Sequence, residues 1–420
     1  MNSRPNIRVS ANRDLSQARS SLPPIARNLT DTWRRTYKRI GRLTFRIVAY
    51  PLRRLGVRFL AVPALNRIGH LALDIDCFLK AGKLGLRERI FPVLLCPREQ
   101  AANPHLLDYW RPHLLVISSP FWCRVLRYLA PYLVFETHPY TVAIDGTAEY
   151  HALQTKWGDR QALLRISDED RELGWRKLTT LGVPRDAWFV CIHSREGGYS
   201  PVDEHLHSYR NSDIDTYLLA AREIVARGGW CVRMGDPSMK RLPAIPGVVD
   251  YAHSAVRSSA MDVFLCGSCR FFLGNTSGLV YLSGVFGVPT AQANCTPVSA
   301  TLPFGPKDIG IPKLLWSGTH NRYLSFPEVF RSPVANFRFA ELYAEQNIEV
   351  RDNSPEDIRA LAIEMLERTA SSPYSYSDAD EEFQRQFRRL LEPGHYSFGS
   401  SSRIGRDFLA KYASLLTDKP

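Results

Sequence analysis

The chain has 420 residues, 45% of them hydrophobic and 23% charged, which suits two domains with full cores and excludes a disordered or fibrous composition. Its formal net charge is +12, yet residues 1–60 hold 14 Lys/Arg against only Asp14 and Asp31, so the remaining chain is neutral. Net charge therefore excludes the body as a polyanion binder, leaves nucleic acid out as a partner, and confines any such attraction to the N-terminal arm.

No apolar run is long enough to cross a bilayer. The strongest, Leu114 to Phe135, is interrupted by Pro120, Arg124, Arg127 and Pro131. The first residues carry basic groups with no apolar segment behind them, so no secretory signal is expected and the location is cytoplasmic. Eight irregularly spaced cysteines, most in apolar runs, read as reduced core residues. Cys266-Gly-Ser-Cys269 has no second pair at zinc spacing, and no metal is expected.

In chain order, residues 1–60 form a basic arm. From Asp31, Trp33, Tyr37, Ile40, Leu43 and Ile47 recur at helical spacing, opposite Arg34, Arg35, Lys38, Arg39, Arg42 and Arg46. A basic face against an aromatic-edged apolar one suits the anionic inner-membrane surface. Residues 61–185 alternate strand and helix as a first Rossmann-like domain. Asn66 to Asp76 is expected as a strand leading into a helix from Cys77, with further strands over 91–96 and 114–117. Asp74-x-Asp76 and Asp213-x-Asp215 have the spacing of a metal-binding pair, which is common by chance, and neither is assigned a metal.

Residues 186–370 form the second Rossmann-like domain. Trp188 to Ile192 is a continuous apolar run, the mark of a parallel strand covered on both faces. Its carboxyl end carries His193, Arg195, Gly197 and Gly198, a cation and a pliable backbone fit for a phosphate. Next come His207, Arg210 and Asn211, then a helix expected to be capped by Ser212. Trp230 to Met234 is a strand leading to Asp236, placed to accept from a ribose hydroxyl or to turn the chain before Pro237. Phe271 to Leu273 is another strand, followed by Gly274-Asn-Thr276-Ser277-Gly278 and a helix. Hydroxyls, free N–H groups and a helix start make that loop a diphosphate seat. Residues 371–420 form a helical tail.

Two loops carry a resemblance. Gly274 to Pro289 is similar to the donor-phosphate loop of bacterial heptosyltransferases, with Tyr281 where those usually show His. His193-x-Arg195 resembles the H-x-R motif of the fucosyltransferase superfamily, whose Arg binds a nucleotide-sugar diphosphate. More widely, Arg67-Ile-Gly-His-Leu-Ala, His207-Ser-Tyr-Arg-Asn211, Arg233-Met-Gly-Asp-Pro237 and Asp250-Tyr-Ala-His253-Ser resemble a family of uncharacterised bacterial glycosyltransferases of surface-polysaccharide loci.

The resemblance implies a GT-B-like fold, α/β with two Rossmann-like domains facing a cleft, and last helices that return to the first domain. It implies a nucleotide-sugar donor as substrate, no cofactor, and a glycan or polyprenyl-linked acceptor. Donor binding would fall to His193, Arg195, Gly197, His207, Arg210, Asn211, Asp236, Thr276, Ser277 and Gly278. Arg195 would stabilise the departing diphosphate without a metal. A base for the acceptor hydroxyl is expected from the first domain, with His70 and Asp76 as the main candidates beside Asp74 and Glu136. A nucleotide-sugar epimerase of the same fold and a non-catalytic membrane scaffold are the competing readings.

Overall fold

The computed structural model describes residues 45–137, 147–199, 201–298, 305–372, 374–393, 395 and 397–418. The expected membrane-binding stretch from Asp31 to Leu43 lies outside them. Two parallel sheets organise the chain. The first contains β1 (Val57–Ala61), β2 (Phe91–Leu95), β3 (Leu115–Ile117) and β4 (Val134–Glu136), in the order β3-β2-β1-β4. The second contains β5 (Phe189–His193), β6 (Trp230–Arg233), β7 (Val248–Val249), β8 (Phe272–Gly274), β9 (Thr290–Cys295), β10 (Ile309–Pro312) and β14 (Arg403–Ile404). Their order is β14-β10-β9-β8-β5-β6-β7, and every pairing is parallel.

From β5 the chain winds outward through β6 and β7, then returns to the other side with β8, β9 and β10. The reversal lies between β5 and β8, and a crevice opens above the carboxyl ends of such a pair. His193 and Gly274 are paired at that point. The expectation of two Rossmann-like α/β domains holds.

A single apolar cluster joins the two sheets. Leu71 and Trp110 of the first half pack in the same cluster as Phe264 and Val280 of the second. The latter two belong to α5 (Ser259–Ser268) and α6 (Gly278–Val285). Asn103 Nδ2 donates to the Ser259 carbonyl at 3.0 Å, closing the seam with a polar contact.

The structure departs from the sequence reading in five places. β1 starts at Val57, inside the range assigned to the arm. Its Arg58 does not break the strand, because the guanidinium donates to the carbonyls of Arg53 and Val57. Asn66 to Asp76 contains no strand: a π-helical turn (His70–Asp74) runs into α1 (Ile75–Lys83). Leu71, Ala72 and Leu73 are all buried, so the alternation that resembled a strand is a helix covered on every side.

Ser212 is not the helix cap. Asp213 accepts from the Asp215 N–H ahead of a 3-10 turn and α4 (Leu218–Ala226), while Ser212 turns inward. The tail meets the first domain where the Gly399 carbonyl accepts from Thr155 Oγ1 at 3.2 Å, but it is built mainly into the second sheet. After α7 (Pro355–Arg368) and α8 (Asp378–Arg389), it supplies edge strand β14 to the second sheet. A small antiparallel sheet of β11 (Leu314–Ser317), β12 (Arg322–Tyr323) and β13 (Ile348–Arg351) was not foreseen.

Candidate functional site

The carboxyl end of β5 is held by its neighbours. His193 is buried, and its Nδ1–H donates to the Met234 carbonyl at 3.1 Å, which leaves Nε2 as the acceptor. Burial drives its pKa down to about 4, helped by the nearby Arg233 and Arg195 cations, so the ring is neutral at pH 7. Ser194 bonds to the carbonyl and hydroxyl of Ser212, and Ser212 N–H donates back to the Arg195 carbonyl at 3.1 Å. The inward turn of Ser212 therefore locks the two residues on either side of the strand end.

Arg195 is held on both its backbone and its side chain. Its N–H donates to Asn275 Oδ1 at 3.0 Å, and its Nη1 donates to the His207 carbonyl at 3.2 Å and to Asn211 Oδ1. Glu204 stands 3.9 Å from the same nitrogen and also accepts from Asn211 Nδ2. A Cβ on Gly197 would fall 2.5 Å from Glu204 Oε1, so a larger residue there would push this carboxylate aside. The space beside Gly197 is thus filled by Glu204 rather than left open to a ligand. His207 Nδ1–H donates to the Arg338 carbonyl at 3.2 Å, and the ring stacks on half-exposed Phe339, with ring centres 5.9 Å apart.

The loop after β8 completes this face. Asn275 Nδ2 donates to the Arg210 carbonyl and to Ser212 Oγ, and Arg210 Nη2 donates to the Thr276 carbonyl at 2.8 Å. Ser277 occupies the cap position of α6, but its side chain makes no capping bond, and its buried Oγ has no hydrogen-bond partner. Arg210 Nε is likewise buried without one. Unsatisfied buried donors cost about 1–3 kcal/mol each, and these two lie on residues joined through the Thr276 carbonyl at a helix start, where an anion would be favoured. Asp236 has two parts: Oδ1 accepts from Ser238 N–H in a turn, while buried Oδ2 has no hydrogen-bond partner.

The first domain presses directly on that helix start. A Cβ on Gly278 would lie 2.5 Å from Ile68 Cγ2 and 2.9 Å from the Gly69 nitrogen. Gly69 in turn lies under the ring of Tyr281. Burial raises the Tyr281 phenol pKa, while the Arg210 and Arg338 cations oppose it, so both guanidinium groups adjoin that ring. His70 therefore stands one residue from the contact. Its Nδ1 meets buried Asp74 Oδ2 at 2.8 Å on a π-helical turn, a distortion common at functional sites. With Nδ1–H donating to a carboxylate, Nε2 is the basic nitrogen of a His–Asp dyad.

Asp76 is not brought to this site. It is fully buried on the inner side of α1, paired with Lys80 Nζ at 2.8 Å and approached by Tyr150 Oη at 3.3 Å. Burial raises its pKa against the pull of Lys80. Glu136 is exposed at the end of β4. Arg195, Arg210, Asn211, Thr276, Ser277 and Gly278 do come together, with His193 beneath them.

Three positioning residues were missed. Arg233 is fully buried between Glu196 and Asp250, at 3.1 Å from each, and fixes the loop after Arg195. Lys313, also buried, donates to the Asn211 carbonyl at 2.5 Å and pairs with Asp352 at 2.6 Å. Asn275 ties two loops together. Arg233 opens the Arg233-Met-Gly-Asp-Pro237 motif, but nothing local shows its bracing role, and Lys313 ahead of β11 carries no local sequence signal. Asn275 lies inside the Gly274–Gly278 loop and differs from the neighbouring hydroxyls in donating and accepting through separate atoms. Among the described residues, no three His, Cys, Asp or Glu side chains gather as a metal site, and the Cys266 and Cys269 thiols are free and buried.

The fold and site together define a two-sheet α/β protein with a cluster of cationic and hydroxyl side chains at the switch point of its second sheet. No family model and no curated protein matches the chain. Among solved structures it is similar to a glycosyl transferase family 9 protein from Veillonella parvula DSM 2008, at 14% identity over 50% of this chain and 60% of that one, with a TM-score of 0.27. It is also similar to the iron-containing dodecameric glycosyltransferase TibC from enterotoxigenic E. coli H10407, at 15% identity over 56% and 57%, TM-score 0.32. A TibC structure in complex with ADP-D-beta-D-heptose gives 14% identity over 57% and 58%, TM-score 0.34. The chain spans less than two thirds of each of these proteins, and likeness at this level does not set its chemistry.

Proposed function

We propose that the chain is a glycosyltransferase moving a sugar from a nucleotide-sugar donor to a glycan or polyprenyl-linked acceptor in bacterial surface polysaccharide synthesis, at the cytoplasmic membrane face. One observation carries the reading: unsatisfied Ser277 Oγ and Arg210 Nε meet at the start of α6, beside the Gly69 contact that brings the His70–Asp74 dyad to the seam. The donor diphosphate sits on the α6 start and the Arg195 loop. As the glycosidic bond breaks, Arg195, Arg210 and the α6 N–H groups take up the charge growing on the diphosphate, which is the work a metal would otherwise do. His70 Nε2 accepts the proton of the acceptor hydroxyl, and Asp74 stabilises the imidazolium that forms.

Thermal shifts with GDP, UDP, ADP, CMP and TDP test this on the wild type and on Arg195→Ala. One nucleotide at about 100 times its dissociation constant should stabilise the wild type by about 2.7 kcal/mol and leave the variant unmoved. Stabilisation by none of them overturns the donor assignment and favours the scaffold. Binding followed by donor isomerisation without transfer to any acceptor favours the epimerase.

A further inference from the structure

The first domain carries a face that the cleft does not use. Residues 120–129 form a short helix and a 3-10 turn, with Cys123 and Leu129 buried underneath. On the other side, Phe121, Trp122, Val125 and Tyr128 follow helical spacing and remain 62, 54, 36 and 61% exposed. Four large apolar side chains on one turn-and-a-half of surface need a cover. The described helix over 45–54 lies next to them: Phe45 stacks on Tyr128 with ring centres 5.4 Å apart, and Ile47, Val48 and Tyr50 are exposed as well.

This face is also cationic. Arg124 and Arg127 flank the aromatic stripe, and residues 45–58 and 119–133 contain no Asp or Glu. Arg46, Tyr50, Arg53, Arg54, Arg58 and Tyr132 line a cavity of about 480 Å³. Arg54 donates to Tyr50 Oη at 3.1 Å and Arg58 to backbone carbonyls, and among the described residues no carboxylate pairs with any of the four arginines. Unneutralised arginines around a cavity call for an anion from outside the chain.

We propose that this surface of the first domain docks on an anionic phospholipid bilayer, with a lipid phosphate in the arginine cavity and Phe121, Trp122, Val125 and Tyr128 at the acyl boundary. Trp and Tyr favour that depth, arginine stems run along apolar surface while their heads stay with phosphates, and the absence of acidic residues matches an anionic leaflet. The proposal rests on the membrane part of the functional reading, and neither on the arm before residue 45 nor on glycosyl transfer.

The test uses the full chain with vesicles of phosphatidylcholine, with and without phosphatidylglycerol. The wild type should pellet with the anionic vesicles and lose binding at high salt. Phe121→Ser with Trp122→Ser should weaken binding about tenfold or more. Arg53→Ala with Arg54→Ala should weaken it about thirtyfold, as expected for two arginines near a charged surface. In a Trp33→Phe background, which removes the arm's tryptophan, brominated lipids should quench the tryptophan emission, with that quenching lost in Trp122→Phe. Unchanged partitioning in both double variants, or quenching that survives Trp122→Phe, overturns the proposal. So does a concentration-dependent dimer that the Phe121/Trp122 variant dissociates, because the cover would then be a second copy. The nucleotide thermal shift, run on the same variants, separates this failure from failure of the cleft reading and shows that each variant is folded.

Discussion

The two walls of the cleft are built differently. On the second-domain wall, Ser194, Arg195, Asn211, Ser212 and Asn275 hold one another through at least one bond each, and Arg233 and Lys313 brace them from below. On the first-domain wall, the proposed chemistry rests on one His70–Asp74 pair on a single distorted turn. A wall that must recognise a fixed diphosphate gains from many locked donors, because preorganised dipoles need not reorient during the reaction. A wall that must move one proton needs one nitrogen at the right place. Neighbouring carboxylates on the same turn sharpen the contrast: Asp74 faces the seam and serves His70, whereas Asp76 faces the core and serves Lys80.

The sharpest way to break this comparison is His70→Ala. Transfer should fall about 10²–10⁴-fold while the nucleotide thermal shift stays as in the wild type. An unchanged rate would remove the dyad from the reaction. Asp76→Ala should do the reverse. It strands Lys80 and the Tyr150 hydroxyl in the core, costing about 3–5 kcal/mol of stability in a denaturant titration without altering nucleotide affinity.

His193 tests the braced wall through pH. Its pKa is about 4 when folded, against the ordinary 6.5. Between these values the unfolded chain binds the extra proton, so this contribution is full above about pH 6.5 and is lost as pH falls toward 4. The full loss is about 3 kcal/mol, and His193→Asn should flatten that part of the stability profile. The smallest effect belongs to Ser277→Ala. A true capping serine would cost about 1 kcal/mol of stability. Here stability should hold while nucleotide affinity drops about fivefold, the worth of one hydrogen bond.

The second-domain wall was largely legible in the sequence because its backbone is. A strand buried on both faces must be continuously apolar, and a polar residue at its end has nowhere to go except the crevice, which placed His193, Arg195 and the loop at Ser277. What stayed hidden depends on contacts between distant residues. Ser212 has the composition of a helix cap, and only the proximity of Ser194 and Asn275 turns it inward. Asp76 stood ahead of Asp74 as a candidate beside His70 because only helical phase separates them, and the short apolar run around Leu71 fits a strand as well as a helix. Lys313 and the sheet at 314–351 lie in a stretch of two- to four-residue strands, too short for periodicity to register.

Gly69 and Gly278 meet across the seam with Ile68 and the Tyr281 ring crowding their free faces: a Cβ on Gly278 would lie 2.5 Å from Ile68 Cγ2, and one on Gly69 3.1 Å from Tyr281 Cδ2. Mechanically, the pair works as a spacer whose thickness sets how near the two sheets can come. A single methyl at Gly278 would thicken it and prise the two halves apart.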